Sequence, residues 1–321
     1  MRVIDLNRPA IGLRGCIVLH STALGPAFGG VRMSRYPDDE SCRADAERLA
    51  EAMTHKCAYH DIPGGGGKAA VRADLIGDRP AAIRAIGEAV ESLEGSFFTG
   101  PDTGMTDEDI ALLARTTRFV STEDVTDATA RGLLAAMRAA CDHAGVRLDG
   151  ATVAIQGLGA VGGELARRLL SLGAEVLGTD VNTDACERSR SDGVTILPTE
   201  GFIQTRCEVL SPCALGGVIA AAEVDALEAR VVAGAANNVL AGDGAADALA
   251  KRKITFVPDF VANGGGVIRG AWVHLRGTPG SNEELDAIYD RVRDTLTDAE
   301  SRGITPLASA LDRVARRLRG R

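Results

Sequence analysis

Val153-Ala154-Ile155-Gln156-Gly157-Leu158-Gly159-Ala160-Val161-Gly162 decides the fold: an apolar run leads into three glycines spaced G-x-G-x-x-G. An acidic residue, Asp180, closes the next apolar run roughly twenty residues on. In a strand–turn–helix context the first glycine permits a tight turn and the second lets the backbone approach a pyrophosphate. The third lets helix and strand pack closely. The helix that opens over Ala160, Val161 and Gly162 offers free N–H groups and a partial positive charge to phosphate. This predicts a dinucleotide site built from Gly157, Gly159, Ala160, Val161 and Gly162, with Asp180 accepting from ribose hydroxyls. A carboxylate there repels a 2′-phosphate, so NAD is expected rather than NADP.

Outward from this turn, apolar segments at 152–156, 175–179, 194–197, 207–210, 230–233 and 254–257 alternate with helical ones, notably 162–172 and 241–251. Such alternation implies a parallel, doubly wound α/β sheet, a Rossmann domain. Three of the strands run into small or polar clusters: Ser211-Pro212-Cys213-Ala214, Ala235-Ala236-Asn237-Asn238, and Asp259 through Asn263. Ligands of open α/β sheets lie beyond the carboxyl ends of the strands, which brings Cys213, Ala214, Ala236, Asn237 and Asn263 to the cofactor. The asparagines suit a ribose, an amide or a carboxylate, and plain turn chemistry is the alternative.

The amino-terminal part reads differently. Short strands are expected at 11–13 and 16–20, then the loop Gly25-Pro26-Ala27-Phe28-Gly29-Gly30. A helix at 41–53 carries Ala46, Leu49, Ala50 and Met53 at helical spacing. The run 61–68 holds four consecutive glycines and is expected to be a loop, because glycine costs too much entropy inside regular elements. An extended run at 69–71 and a helix at 81–93 follow. Near the other end, Ser281 and Glu284 form a capping box ahead of Leu285, Ile288, Val292 and Leu296. Thr305-Pro306 opens a last helix with Leu307, Leu311, Val314 and Leu318 on one face.

Composition bounds the possibilities. With 321 residues the chain can bury two cores, and 45% hydrophobic with 25% charged residues is ordinary for a soluble protein. A formal charge of −8 and 3% aromatics disfavour nucleic acid as a partner. The basic run Arg313, Arg316, Arg317, Arg319 and Arg321 complements the dipole of a terminal helix. Seven cysteines, none in a C-x-x-C pair, read as reduced thiols. With no basic-then-apolar leader and no apolar run of bilayer length, a cytoplasmic setting away from membranes is expected.

Two lysines and an aspartate stand out. Lys56 follows the helix at 41–53, Lys68 directly follows the glycine run, and Asp102 sits in the turn Thr99-Gly100-Pro101-Asp102-Thr103-Gly104. Two ammonium groups close together and shielded from water depress each other's pKa, and a lysine so tuned can act as a base near neutral pH.

These residues fall in motifs that run along most of the chain in order. They are Gly25-Pro26-Ala27-Phe28-Gly29-Gly30, Met53-Thr54-His55-Lys56, Gly65-Gly66-Gly67-Lys68, Gly100-Pro101-Asp102, Thr129-Ala130-Arg131-Gly132, Gln156-Gly157-Leu158-Gly159, Pro212-Cys213-Ala214-Leu215-Gly216, Gly234-Ala235-Ala236-Asn237-Asn238 and Pro258-Asp259-Phe260-Val261-Ala262-Asn263. In them the chain resembles the glutamate/leucine/phenylalanine/valine dehydrogenase family, closest to its leucine and phenylalanine branches. The resemblance implies an N-terminal α/β substrate and dimerisation domain (1–127 and 285–321) and a Rossmann domain (128–284), with a cleft between them and C-terminal helices returning to the first. It implies a homodimer or higher homo-oligomer.

It further implies an NAD-dependent amino-acid dehydrogenase that reversibly converts a hydrophobic L-amino acid to its 2-oxo acid and ammonia. Lys56 would hold the substrate carboxylate with Gly29, Gly30 and Asn238; Lys68 would be the catalytic lysine; Asp102 would exchange protons with the amine; Thr129 would join the cofactor set. Phe28 stands where glutamate-specific members resemble one another in carrying a lysine, so glutamate is disfavoured. By family position the side-chain pocket is Phe28, Gly100, Val267 and Gly270. Arg269 beside it is either solvent-facing or in contact with a polar substrate atom. The segments before Gly25 and between Asp102 and Thr129 are shorter than the family pattern. A non-catalytic sensor of NAD or amino acid, and a dehydrogenase for an unusual amine of secondary metabolism, remain as alternatives.

Overall fold

The computed structural model describes residues 1–214, 216–242 and 244–320; Leu215 of the 212–216 motif and Arg321 of the basic run lie outside them. The chain forms two units, Met1–Asp124 with Gly270–Pro279 and 314–320, and Val125–Arg269 with Gly280–Arg313.

The first unit is a mixed sheet sandwiched by helices. Its elements in chain order are β1 (Arg2–Arg8), β2 (Leu13–Leu19), β3 (Ala27–Phe28), β4 (Val31–Ser34), α1 (Asp39–Tyr59), β5 (Gly65–Arg72), α2 (Arg79–Glu91), β6 (Phe97–Phe98) and α3 (Asp107–Thr116). The sheet order is β1-β2-β5-β3-β6, with β4 also pairing β5. β1, β2 and β5 are antiparallel, while β3 and β4 run parallel to β5.

The expected loop at 61–68 therefore ends at Gly64. Gly65, Gly66 and Gly67 belong to β5, and all three are buried. The entropic cost of glycine in a strand is outweighed here because a side chain would have no room. A Cβ on Gly66 would collide with Ala50 O and Thr54 N of α1, and one on Gly67 would lie 2.8 Å from the Phe97 ring. The helix thus lies directly on the strand backbone. The α1 helix also runs on past the expected 41–53, through Lys56 to Tyr59, with Asp38 capping its start through Ser41 N at 2.7 Å. The expected first strand, 11–13, is instead a 3₁₀ turn at Pro9–Ile11 entering β2.

Side-chain alternation sorts the two faces of this sheet. Ala27, Val31, Met33, Ala69, Val71 and Phe97 point into one core with α2. Cys16, Val18 and Ala70 point the other way, against Cys42, Ala46 and Ala50 of α1.

The second unit starts with α4 (Thr126–Ala144), a helix that the apolar pattern does not single out because its buried face is mostly alanine and glycine. There follow β7 (Thr152–Gln156), α5 (Ala160–Ser171), β8 (Glu175–Thr179), α6 (Thr183–Ser191), β9 (Thr195–Ile196), β10 (Val209–Pro212), β11 (Ile219–Ala220), β12 (Val231–Val232), β13 (Leu240–Ala241), α7 (Ala245–Lys251) and β14 (Thr255–Phe256). The order β14-β12-β10-β7-β8-β9 is parallel throughout, the doubly wound sheet that the alternation implies. β11 and β13 form a separate parallel pair.

The chain ends in α8 (Asp259–Ala262), α9 (Gly265–Arg276), α10 (Asn282–Asp286), α11 (Ile288–Arg302) and α12 (Pro306–Leu318). The capping box forms as expected, with Ser281 N 2.7 Å from Glu284 Oε2 and Glu284 N 3.3 Å from Ser281 Oγ. By contacts within the chain, residues 280–313 cluster with the second unit. Arg131 of α4 grips Asp286 with two bonds of 2.7 and 2.6 Å, Tyr289 Oη donates to Asp142 at 2.7 Å, and Ile288 fills the notch over Gly132. Only 314–320 and Gly270–Pro279 group with the first unit. No helix of the described residues is long and apolar enough to cross a membrane.

Candidate active site

Alternation along β5 puts Lys68 between Gly66 and Ala70 on the face covered by α1. The missing side chain at Gly66 lets the helix close over this strand, and Lys68 is only 6% exposed. Lys56, in the last turn of the same helix, is 8% exposed. Opposite the lysine lies Asp102, in the loop after β6, and its Oδ2 contacts the Lys68 ammonium directly. The loop is held by an isolated bridge between Val31 and Pro101 and by Thr103 N donating to Asp102 Oδ1 at 2.5 Å. Lys68 and Asp102, singled out from separate motifs, are thus brought together.

The electrostatics follow from this burial. Lys68 is pushed down from 10.5 to about 7, first by desolvation, then by the neighbouring positive charges of Arg32 and Lys56. The expected effect of Lys56 on Lys68 is present, but Arg32 outweighs it. Arg32 was not singled out in the sequence. It sits on β4 between inward-pointing Val31 and Met33, and so turns its charge to the α1 face. There its guanidinium lies 3.3 Å from Asp45 Oδ2 and 3.4 Å from Asp102 Oδ1. A lone arginine at the polar phase of a short alternating run, two residues after Gly29-Gly30, was the available signal.

The glycines around this site are needed for close approach. A Cβ on Gly29 would collide with Gly67 O, and one on Gly30 would lie 2.9 Å from Asp102 Cβ. Gly100 is looser, its nearest neighbour being Ser121 O at 3.6 Å. Phe28 is buried and stacks on Phe98, with centroids 5.5 Å apart, and His274 lies 4.4 Å from the Phe98 ring. Phe98 and His274 are members of this aromatic wall that sequence spacing did not identify. Burial pushes the His274 imidazole below its ordinary value, favouring the neutral ring. Gly270 lies one turn before His274 on α9.

Of the other residues expected at the substrate, Asn238 and Val267 belong to the second unit. Asn238 takes a left-handed φ of 53°, and its N–H donates to Asp259 Oδ2 at 2.6 Å. Val267 lies in the first turn of α9. Arg269 donates to Asn282 Oδ1 at 2.9 Å, so its guanidinium is engaged within the second unit.

The cofactor candidates gather at the carboxyl ends of β7, β8, β10 and β12. Gly157 takes φ +100°, open to glycine, and a Cβ there would meet Ala214 at 2.7 Å. A Cβ on Gly162 would strike Gly157 O, whereas Gly159 has nothing within 4 Å, leaving its backbone open to a ligand. No side chain caps the start of α5, so the first N–H groups over Ala160 and Val161 stay available for an anion. Asp180 Oδ2 accepts from Leu158 N at 2.7 Å and Oδ1 from Asn182 N at 2.8 Å, which bends the carboxylate over the turn.

Cys213 N donates to Gln156 O at 2.7 Å, and burial holds its side chain as the thiol. Ala236 is buried, its N–H donating to Pro212 O at 3.0 Å. Asn263 Nδ2 donates to Ala235 O at 3.0 Å and to Asn237 Oδ1 at 2.9 Å. Thr129 lies beside Gly265 and Gly266. Three buried atoms here, Gln156 Oε1, Asn238 Nδ2 and Asn263 Oδ1, have no protein partner. Each such group costs about 1–3 kcal/mol when left unpaired, which a bound ligand's hydroxyls and amide would recover. The glycine turn, the open helix end and these orphaned groups fit a dinucleotide.

Residues 3–119 match the dimerisation domain of Glu/Leu/Phe/Val dehydrogenases, and residues 121–183 and 180–272 match the Glutamate/Leucine/Phenylalanine/Valine dehydrogenase domain. Phenylalanine dehydrogenase of Lysinibacillus sphaericus is 37% identical over 285 residues, covering 84% of this chain and 75% of the relative. Leucine dehydrogenase of Thermoactinomyces intermedius is 35% identical over 321 residues, covering 95% and 86%. Among solved structures, L-tryptophan dehydrogenase of Nostoc punctiforme superposes with a TM-score of 0.81 at 31% identity, covering 100% of this chain and 96% of its own. The chain belongs to the glutamate/leucine/phenylalanine/valine dehydrogenase family, oxidoreductases acting on the CH–NH2 group of amino acids, and falls with its leucine, phenylalanine and tryptophan dehydrogenases.

Proposed function

We propose that the protein catalyses the reversible, NAD-dependent oxidative deamination of a hydrophobic L-amino acid, branched-chain or aromatic, to the 2-oxo acid and ammonia. The observation that carries this reading is the buried Lys68–Asp102 contact, with a second buried lysine, Lys56, on the same sheet face. The family uses a nicotinamide dinucleotide, NAD(P), and has a dimerisation domain. NAD in particular is supported by Asp180 at the end of β8, where a carboxylate disfavours a 2′-phosphate. A homodimer or higher homo-oligomer goes with the match of 3–119 to the dimerisation domain.

In this reading Lys56, with the backbone of Gly29-Gly30 and with Asn238, pairs with the substrate carboxylate. Phe28, Gly100, Val267 and Gly270 receive the side chain, and the Phe98–His274 wall extends that apolar surface. Gly157, Gly159, Ala160, Val161 and Gly162 hold the pyrophosphate, while Thr129, Cys213, Ala214, Ala236, Asn237 and Asn263 meet the rest of the dinucleotide. Asp102 takes a proton from the substrate ammonium, freeing its lone pair. NAD, when bound, supplies the acceptor for the hydride that leaves the α-carbon, and the substrate becomes an imine. Lys68, pushed down to about 7, in its neutral form removes a proton from water as its oxygen adds to the imine carbon. Lys68 passes that proton to solvent, Asp102 protonates the nitrogen, and as the C–N bond breaks Lys68 takes the hydroxyl proton, leaving the 2-oxo acid and free ammonia.

NADH formation at alkaline pH across the twenty L-amino acids tests this. Turnover is expected on leucine, valine, phenylalanine or tryptophan, and not on glutamate. Silence on every amino acid, with NADH still bound, would refute it.

A further inference from the structure

Asp102 divides its two carboxylate oxygens. Oδ2 touches Lys68, whereas Oδ1 accepts from Thr103 N at 2.5 Å and from Arg32 Nη2 at 3.4 Å. The other end of the Arg32 guanidinium lies 3.3 Å from Asp45 Oδ2. Asp45 is itself pinned, by Tyr36 Oη at 2.7 Å and by Arg48 Nη2 at 2.5 Å. The side chains of Arg32, Asp45 and Asp102 are 20%, 16% and 18% exposed, so the chain of charges is shielded from water along its length. Buried charges interact strongly over such distances, and leaving one unpaired costs more than an exposed pair contributes.

We propose that Arg32, braced by Asp45, is a positioning residue that orients the Asp102 carboxylate toward Lys68 and holds a positive charge against that lysine. The inference rests on the functional reading above, since it concerns how the same pair is tuned. Arg32 lies on the strand beside β5 and reaches both neighbours only because its planar fork spans two carboxylates at once, which a lysine does not do. The charged groups facing Lys68 are Arg32 from β4, Lys56, Asp45 and Arg48 from α1, and Asp102 from its loop; the positive ones push its proton off, while the carboxylates of Asp102 and Asp45 hold it.

A staple that merely ties loop to helix and a tuning device differ in sign. Removing Arg32 takes away a repelling charge, and removing Asp45 takes away an attracting one. In the full-length protein, Arg32→Gln is expected to move the acidic limb of the kcat/KM profile for amino-acid oxidation up by about one pH unit, and Asp45→Asn to move it down. Arg32→Lys should keep the limb in place but lower kcat about tenfold, because one ammonium cannot bridge both carboxylates. Thermal melts confirm that each variant is folded; if Arg32→Gln is not, Arg32→Lys and Asp45→Asn carry the test.

Shifts of equal sign, or no shift with loss of stability alone, would overturn the proposal. A second readout separates this failure from failure of the proposed reaction. NMR titration of ¹³Cε-labelled lysine, with Lys68 assigned by its absence in Lys68→Met, reads the same opposed shifts without turnover.

Discussion

Lys68, in the middle of β5, and Asp102, in the loop after β6, are 34 residues apart in the chain and in direct contact in the fold. Neither reaches the other by local geometry. The strand must lie flush against α1, which Gly66 permits, and the loop must be drawn in by Pro101 against Val31 and by Arg32 against the aspartate. Burial then sets the chemistry: a lysine shielded from water and faced by Arg32 and Lys56 gives up its proton near neutrality.

Lys68→Ala should therefore abolish turnover, with a fall of roughly 10²–10⁴-fold in kcat from lost proton transfer. NADH binding, followed by quenching of its fluorescence, should stay within about twofold, because the glycine turn and its neighbours belong to the other unit. Residual activity above one tenth of the parent would remove Lys68 from its role.

The pH dependence has a definite direction. Oxidation needs neutral Lys68, so kcat/KM should climb through pH values near 7 and level off above. Stability carries the same signature. The folded pKa of about 7 lies below the ordinary 10.5, so between them the unfolded chain binds the extra proton, and the lysine's contribution to stability rises with pH across that window. Lys68→Met should accordingly melt higher than the parent at pH 7, and the gap should shrink by pH 9. A gap that widens instead would mean the lysine is charged in the folded protein.

Two glycine substitutions should separate folding from binding. Gly66→Ala drives a methyl into Ala50 O and Thr54 N, lifting α1 from the sheet at a cost of about 1–3 kcal/mol or more, as a lowered melting temperature. Gly159→Ala meets no heavy atom within 4 Å, so the melt should hold while NADH affinity falls about tenfold or more. Equal loss of stability in both would contradict the open backbone at Gly159.

Asp180→Ser tests cofactor choice. The carboxylate's two backbone bonds, to Leu158 N and Asn182 N at 2.7 and 2.8 Å, fix a negative charge over the turn. Removing it should narrow the kcat/KM preference for NAD over NADP by about tenfold, roughly 1.4 kcal/mol of discrimination. An unchanged ratio would move the discrimination elsewhere.

The doubly wound sheet was legible because its signals are local. An apolar run, a glycine turn and a helix, repeated, can be assembled only as parallel strands with crossovers. Asp180 was legible for the same reason, since it follows the turn at a fixed offset. The glycine run was misread because entropy argues for a loop, while the compensating contacts with Ala50, Thr54 and Phe97 come from segments that spacing cannot connect. The helix at Thr126–Ala144 went unseen because alanine carries little apolar contrast.

Residue order thus settled where the chain must turn tightly, which faces are apolar, and which residue types are present to move protons and grip phosphate. Folding decided who faces whom. Lys68, Asp102, Arg32 and Asp45 come from four separate segments, and their effect on one another depends on distance and on exclusion of water. Both quantities arise only when α1 lies on bare strand backbone, because charge coupling weakens with separation and with solvent between the groups.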